Sequence, residues 1–165
     1  MNNYVYALDI GANGTSNITS NSTTLQKFTG ANATVNVSNS ATLERANQPV
    51  LVNEQSDGTV TVESGSTISA TVANTIQGID SANLTVTNSG TIQAGTSKAI
   101  NLTDNEGARV TNNAGGIIKS DTNTISLSEN DEDVVDDIII TNHGTIFATD
   151  NSDTSGHNVI KSSDG

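Results

Sequence analysis

A seven-residue segment, VTNSGTI at residues 86–92, recurs in recognisable form along most of this chain, and the recurrence constrains the fold more than any other feature. Related segments are VESGSTI at residues 62–68 and ITNHGTI at residues 140–146. In each of them, two apolar residues six positions apart flank a polar stretch with a glycine near its middle. Repetition of this kind indicates a stack of similar structural units rather than one irregular core.

The spacing of the apolar residues defines the repeat. Val62 and Val86 are 24 residues apart, and so are Ile68 and Ile92. The two columns that this spacing predicts are Val37, Val62, Val86, Val110 and Ile140, and Leu43, Ile68, Ile92, Ile117 and Ile146. A third predicted column contains Leu25, Val50 with Val52, Ile76 with Ile79, Ile100 with Leu102, Ile125 with Leu127, and Val159 with Ile160. Three columns therefore advance together along the chain.

Within each unit, apolar and polar residues alternate over short runs such as TVTV at residues 59–62. Alternation with a period of two predicts strands with one buried face, and β-branched residues bounded by Gly, Asn, Ser and Asp favour strands and turns. No sustained helical period occurs. The sequence thus predicts an all-β parallel β-helix, or β-solenoid, of about six rungs of roughly 24–25 residues with three short strands per rung.

Composition limits the alternatives. Only 33% of the residues are hydrophobic and 2% aromatic, which fits either a disordered chain or a narrow core of small aliphatic residues. A single proline, 15% charged residues and the regular apolar spacing favour the narrow core. The net charge of −12, from 18 acidic and six basic residues without a basic cluster, argues against nucleic acid as a partner.

Cysteine is absent, which favours a cytosolic protein or a bacterial surface protein built without disulfides. No stretch approaches the roughly 18 apolar residues of a membrane span, so we expect no membrane insertion by this segment. Residues 1–6 lack the features of a signal peptide. We predict a single domain over residues 1–165, with a weaker first rung at 1–30 and loop insertions at 128–137 and 148–158. We also expect it to be part of a longer chain.

A column of amide side chains is predicted at the turns. Two residues after the first apolar position lie Asn39, Ser64, Asn88, Asn112 and Asn142. A buried turn amide can bond the same amide in the rungs above and below, which fixes the register of the stack. These five residues form the predicted structural ladder. A second column, Thr42, Thr67, Thr91 and Thr145, is predicted to face outward.

The segments VTNSGTI at 86–92, AINL at 99–102 and ITNHGTI at 140–146 resemble the rungs of bacterial autotransporter passenger domains and related β-helical surface adhesins. The resemblance covers about residues 35–165. It implies a right-handed, three-sided β-helix located on the surface of, or outside, a Gram-negative bacterium. It also implies a structural or adhesive function, with self-association through terminal rungs or rod faces, or with glycans or other cell-surface molecules as partners.

The alternative function is a carbohydrate-active β-helix, such as a polysaccharide lyase or depolymerase. Such an enzyme needs acidic and basic side chains that converge on one face. The six basic residues are scattered among the rungs and no paired-carboxylate motif occurs at matched positions, so we predict no catalytic residues and no enzymatic activity. An ice-binding solenoid would need Thr-x-Thr on every rung, whereas only residues 59–61 and 85–87 come close.

Metal and cofactor sites are not clearly encoded. Asp131, Asp133, Asp136 and Asp137 form a weak calcium candidate, because carboxylate oxygens suit Ca²⁺, but the segment lacks known calcium-loop spacing. A solvated acidic loop is the preferred interpretation. The two histidines, His143 and His157, lack a third ligand and are interpreted as surface residues. No organic cofactor is expected.

Overall fold

The computed structural model describes residues 7–128, 137–149 and 158–163. These residues form eighteen short strands, numbered in chain order, and contain no helix. Sheet A contains β1 (Ala7–Ile10), β3 (Leu25–Phe28), β6 (Leu51–Asn53), β9 (Ile76–Ala82), β12 (Ile100–Glu106), β15 (Ile125–Ser128) and β18 (Ile160–Ser163). Sheet B contains β2 (Thr15–Ile18), β4 (Thr34–Val37), β7 (Thr59–Val62), β10 (Thr85–Asn88), β13 (Arg109–Asn112) and β16 (Ile139–Asn142). Sheet C contains β5 (Thr42–Arg45), β8 (Thr67–Ala70), β11 (Thr91–Ala94), β14 (Ile117–Ser120) and β17 (Thr145–Ala148).

All pairing between these strands is parallel, and from β3 onward each strand pairs with the strand three positions later in the chain. The chain therefore visits sheets A, B and C in turn and completes one rung before it starts the next. Five complete rungs run from β3 to β17, preceded by β1 and β2 and followed by β18. This arrangement confirms the predicted all-β solenoid with three strands per rung.

The first turn of the chain is shorter than the others. Ile10 pairs with Phe28 and Ile18 pairs with Val37, so these repeats are 18 and 19 residues long. In place of a first strand in sheet C, a single bridge joins Ser22 to β5. The predicted partners of Ile10 and Ile18, namely Val37 and Leu43, are therefore each one sheet position too far along the chain.

The core is a narrow column of aliphatic side chains that point inward from all three sheets. Every second residue of most strands is fully buried, which matches the alternation in the sequence. The inward columns include Val35, Val60, Val86 and Val110 in sheet B, Leu43, Ile68, Ile92 and Ile118 in sheet C, and Leu51, Ile76, Ile100 and Ile125 in sheet A. Because one rung has little apolar surface of its own, stacking of the rungs builds the core.

The predicted column through Val62 and Val86 is wrong in register by two residues. Val62 pairs with Asn88, and Val86 pairs with Val60. The corner after β7 contains four residues, whereas the corner after β10 contains only two. Side chains alternate with a period of two, so this shift leaves Val86 facing the core, and the equal spacing concealed it.

The column through Ile92 is wrong by one residue. Ile118, rather than Ile117, pairs with both Ile92 and Ile146. Ile117 pairs with Thr91 and lies on the outer face of sheet C. With two adjacent isoleucines, spacing alone did not identify the inward one, and a shift of one residue reverses the face.

Leu25 is also not where the third column predicted it. Gln26 pairs with Leu51 and is fully buried, while Leu25 is half-buried on the outer side. The buried amide is satisfied: Ser16 Oγ donates to its Oε1 at 2.8 Å, and its Nε2 donates to the carbonyl of Thr24 at 3.0 Å. Burial of a polar side chain at this position is tolerated because both of its groups are bonded.

The corner between sheets A and B repeats one backbone conformation. Its residues with positive φ are Asn13, Asn32, Asp57, Asn83 and Gly107. Each of the first four donates its backbone N–H to a carbonyl at the corner of the next rung. Asn and Asp tolerate the left-handed conformation better than other side chains, which explains their repeated use at this corner.

Candidate functional site

The asparagine ladder runs through three consecutive rungs at the corner between sheets B and C. Asn88 Nδ2 donates to Asn112 Oδ1 at 2.8 Å, and Asn112 Nδ2 donates to Asn142 Oδ1 at 2.8 Å. Asn88 and Asn112 are fully buried, whereas Asn142 is exposed. All bonds run in one direction along the rod, and each buried amide holds the next rung in register.

Each ladder amide also closes its own corner. Asn88 Oδ1 accepts the backbone N–H of Gly90 at 3.2 Å, and its Nδ2 reaches the carbonyl of Ile117 in the next rung at 3.1 Å. A Cβ atom at Gly90 would lie 2.3 Å from the carbonyl oxygen of Ser66 and 2.4 Å from that of Glu63. Glycine at this position is therefore required by the close approach of the rung below.

Asn39 and Ser64 do not join this ladder, which corrects the prediction for those two residues. Both are exposed in their corners, and Asn39 has a positive φ. The positions that stack directly on Asn88 are occupied by Val62 and, one rung earlier, Val37. The inward column therefore changes from valine to asparagine at residue 88, for the same two-residue difference in corner length described above.

A second buried polar ladder, which the sequence analysis did not find, lies near the corner between sheets A and B. Asn53 Nδ2 donates to Ser81 Oγ at 3.2 Å, and Ser81 Oγ donates to Asn105 Oδ1 at 2.8 Å. All three side chains are buried. A sequence signal existed for Asn53 alone, because it follows the inward Leu51 by two residues within β6.

The outward threonine columns form regular polar faces. In sheet C, Thr42, Thr67 and Thr91 are in register and half-buried, and Ile117 separates them from Thr145. Sheet B carries two further outward columns, which contain Thr34, Thr59 and Thr85, and Thr61, Thr87, Thr111 and Thr141. Paired threonines stack on only two rungs here, 59–61 and 85–87, because Arg109 and Ile139 continue the first column.

The predicted calcium and histidine residues fall largely in segments that the structure does not describe. Asp131, Asp133, Asp136 and His157 lie outside the described residues, and Asp137 is exposed. His143 is exposed at a corner and donates its backbone N–H to the carbonyl of Asn112 at 2.7 Å. Within residues 7–128, 137–149 and 158–163, no three His, Asp or Glu side chains converge in a way that could hold a metal ion.

The outer side of sheet C carries a shallow groove of about 260 Å³, which we call the sheet C groove. Ser69, Gln93 and Lys119 line it from three successive strands, in register. Asp121 and Thr149 line it at the corner that follows sheet C. The groove is polar and combines a side-chain amide, a hydroxyl, an ammonium and a carboxylate.

Hydrogen bonds fix two parts of this groove. Gln93 Nε2 donates to Ser69 Oγ at 3.1 Å, which ties together side chains from adjacent rungs. At the corner, the Thr149 hydroxyl donates to the Asp121 carboxylate. The groove is thereby a preformed surface whose polar groups are held by the rungs beneath them.

Comparison with known proteins adds no relative: no protein-family model, no curated protein and no solved structure matches the chain. The described residues also contain no helix that is long and apolar enough to cross a membrane. The interpretation of function consequently depends on the fold and on the chemistry of the outer faces.

Proposed function

We propose that this chain is a structural and adhesive surface protein, a β-helical rod of an exported passenger or surface filament of a Gram-negative bacterium. The observation that carries the proposal is the regular outer surface of the rod. Short polar side chains stand in register on sheet B and sheet C over several rungs, with threonine the commonest. Such a surface presents many weak hydrogen-bonding groups over a long contact, which suits adhesion through repeated interactions.

The resemblance of residues 86–92, 99–102 and 140–146 to the rungs of autotransporter passengers supports the same proposal. The net charge of −12 also fits a protein that works outside the cell in aqueous surroundings, since a high charge keeps proteins soluble.

Adhesion is tested with the purified chain coated on beads and incubated with a panel of bacterial and epithelial cells. The expected result is saturable retention of the beads that soluble chain competes away. Beads that are retained no better than albumin-coated beads on every cell type tested would contradict the proposal.

Self-association belongs to the same proposal. Within the described residues, the first and last strands of each sheet pair on one side only, and unpaired strand edges are templates for association. The apolar side chains Leu8 and Ile160, near opposite ends of sheet A, are 44% and 45% exposed. Sedimentation velocity at rising protein concentration should show growth in mass, whereas a monomer at every concentration would exclude this mode of association.

The alternative is a carbohydrate-active β-helix. The sheet C groove is polar and of a size that could receive a sugar, but its described lining holds one carboxylate, that of Asp121. Glycoside hydrolysis commonly uses two carboxyl groups separated by about 5–10 Å. This lining supports binding rather than cleavage, and release of reducing ends from a polysaccharide panel would reverse that preference.

A further inference from the structure

We propose that the sheet C groove is a binding site for a neutral glycan, with Phe147 as the surface on which a sugar ring stacks. This inference rests on the proposed adhesive function and gives it a location and a ligand class. It follows from three observations: the polar groups of the groove, the aromatic ring beside it, and the balance of charge within it.

The polar groups of the groove match those of a sugar. After the bond to Ser69, Gln93 Oε1 remains available as an acceptor, and the Ser69 hydroxyl hydrogen remains available for donation. The carboxylate of Asp121, which accepts one bond from Thr149, has further acceptor capacity. Neighbouring hydroxyl groups of a sugar are both donors and acceptors, so a fixed set of amide, hydroxyl and carboxylate groups can bind them in pairs.

The aromatic side chain is placed by the register of sheet C. Phe147 of β17 is the Cα partner of Lys119, so the outward column reads Ser69, Gln93, Lys119 and Phe147 on four successive strands. Phe147 is partly exposed, whereas Phe28 is fully buried in the core. It is the one aromatic side chain of the described residues that reaches the surface. The electron-rich face of an aromatic ring attracts polarised C–H groups such as those on the flat side of a sugar.

The balance of charge selects a neutral ligand. Lys119 and Asp121 are one positive and one negative group in the same groove, so the groove itself has little net charge. The whole chain carries −12 and repels anionic polymers. Within the described residues no carboxylate is within ion-pairing distance of Lys119, and its ammonium group is free to donate to a sugar hydroxyl.

The corner beside the groove depends on a glycine. A Cβ atom at Gly95 would lie 2.3 Å from the carbonyl oxygen of Thr71, so a side chain there would displace the corner. Gly95 and the small side chains Ala70 and Ala94 form part of the lining and leave the groove open. The sequence thus combines an open floor with polar walls at the same place.

The test uses the full chain on an array of neutral oligosaccharides (gluco-, galacto- and manno-linked) together with matched uronic-acid oligosaccharides. We expect binding to at least one neutral oligosaccharide that changes little with salt. Phe147→Ala and Gln93→Ala should each weaken this binding about tenfold or more, because a few contacts carry most of the affinity of a small site. Phe147→Tyr, which keeps the ring, should retain it.

Thr87→Ala is the matched control, because Thr87 is outward and half-buried on sheet B rather than sheet C. Its binding should equal that of the unaltered chain, and circular dichroism should show the same β signal for all variants. Binding to no neutral oligosaccharide, equal binding by the two alanine variants, or steeply salt-dependent binding to uronic acids alone would each overturn the proposal. If beads coated with Phe147→Ala still adhere to cells as well as the unaltered chain does, the adhesive function stands and the glycan site does not.

Discussion

At the scale of single residues, the rod is held in register by buried amides and by the glycines that let them approach. Asn112 shows both relations: it accepts from Asn88, donates to Asn142, and lies so close to the next rung that a Cβ at Gly144 would be 2.7 Å from its Nδ2. A buried amide costs free energy unless its groups are bonded, and here bonds are available only if the rungs stack in one register. The ladder therefore adds specificity as well as stability.

Asn112→Ala should destabilise the fold by roughly 2–4 kcal/mol, because it removes bonds to two rungs and leaves buried groups of Asn88 without a partner. The measurement is urea-induced unfolding followed by circular dichroism. Asn113→Ala is the control: Asn113 is its half-buried neighbour and makes one side-chain bond, to Ser89 Oγ at 2.9 Å. This variant should lose about 1 kcal/mol or less. Equal losses for the two variants would show that the ladder has no special role.

Gly90→Ala should also be costly. The added methyl group would meet the backbone carbonyls of Glu63 and Ser66, which are fixed by the rung below. Overpacking of this kind costs roughly 1–3 kcal/mol. Gly11→Ala is the matched variant, because a Cβ there meets nothing within 4 Å, and its midpoint in urea should be nearly unchanged. An unaltered midpoint for Gly90→Ala would mean that the corner can move outward freely.

At the scale of elements, strands are fixed in facing while corners vary in length. The corner after β13 has four residues and the corner after β10 has two, yet both begin with a ladder asparagine and end with a glycine. Asn112 Nδ2 reaches the carbonyl of Gly116 at 3.2 Å across the longer corner, and Asn88 Nδ2 reaches that of Gly90 at 3.3 Å across the shorter one. The corner can thus gain two residues without losing its amide contacts.

Insertion of Ala-Gly between Ser89 and Gly90 should therefore be tolerated, because it converts the shorter corner into the longer form that the next rung already uses. We expect a loss of about 1 kcal/mol or less, since loop length costs little entropy. Insertion of a single alanine between Val86 and Thr87 should unfold that rung, because one residue reverses the facing of the rest of β10. Hydrogen exchange of the β10 amides distinguishes the two; similar protection in both variants would disprove the argument.

At the scale of the whole molecule, a stack of rungs with a net charge of −12 has little internal charge compensation. The one ion pair in the described part of the chain joins Lys27 and Glu54 at 3.5 Å, and both side chains are 40% or more exposed. Exposed pairs of this kind contribute little to stability. Repulsion among the remaining acidic groups therefore opposes the folded state.

The melting temperature should accordingly rise by roughly 2–5 °C between 0.01 M and 0.1 M NaCl, as the screening length falls from about 30 Å to about 10 Å. Differential scanning calorimetry measures this, and KCl at the same concentrations should act equally. A melting temperature that falls with salt would indicate that attractive pairs dominate.

Calcium should have no effect beyond this screening, because the acidic segment that includes Asp137 lacks calcium-loop spacing. At about 2 mM and matched ionic strength, CaCl₂ and MgCl₂ should shift the melting curve equally. A larger shift with Ca²⁺ that Asp133→Asn and Asp136→Asn abolish would instead establish a calcium site in residues 131–137.

The sequence by itself determined the period, the three strands per rung and the identity of most core residues. It did so because alternation within a strand and repetition between rungs are local properties of the chain. Val86 and Ile92 were correctly placed in the core, and Asn88, Asn112 and Asn142 were recognised as equivalent positions.

Only the tertiary structure decided which residues stack on one another. Corners differ in length by two residues, so Val62 lies against Asn88, and Asn39 and Ser64 fall outside the ladder. The candidate glycan site was equally hidden, because Gln93, Lys119 and Phe147 come from three rungs and share no motif. Strand pairing between rungs brings them together, and that pairing is a non-local contact whose register is set by packing and by the buried amides.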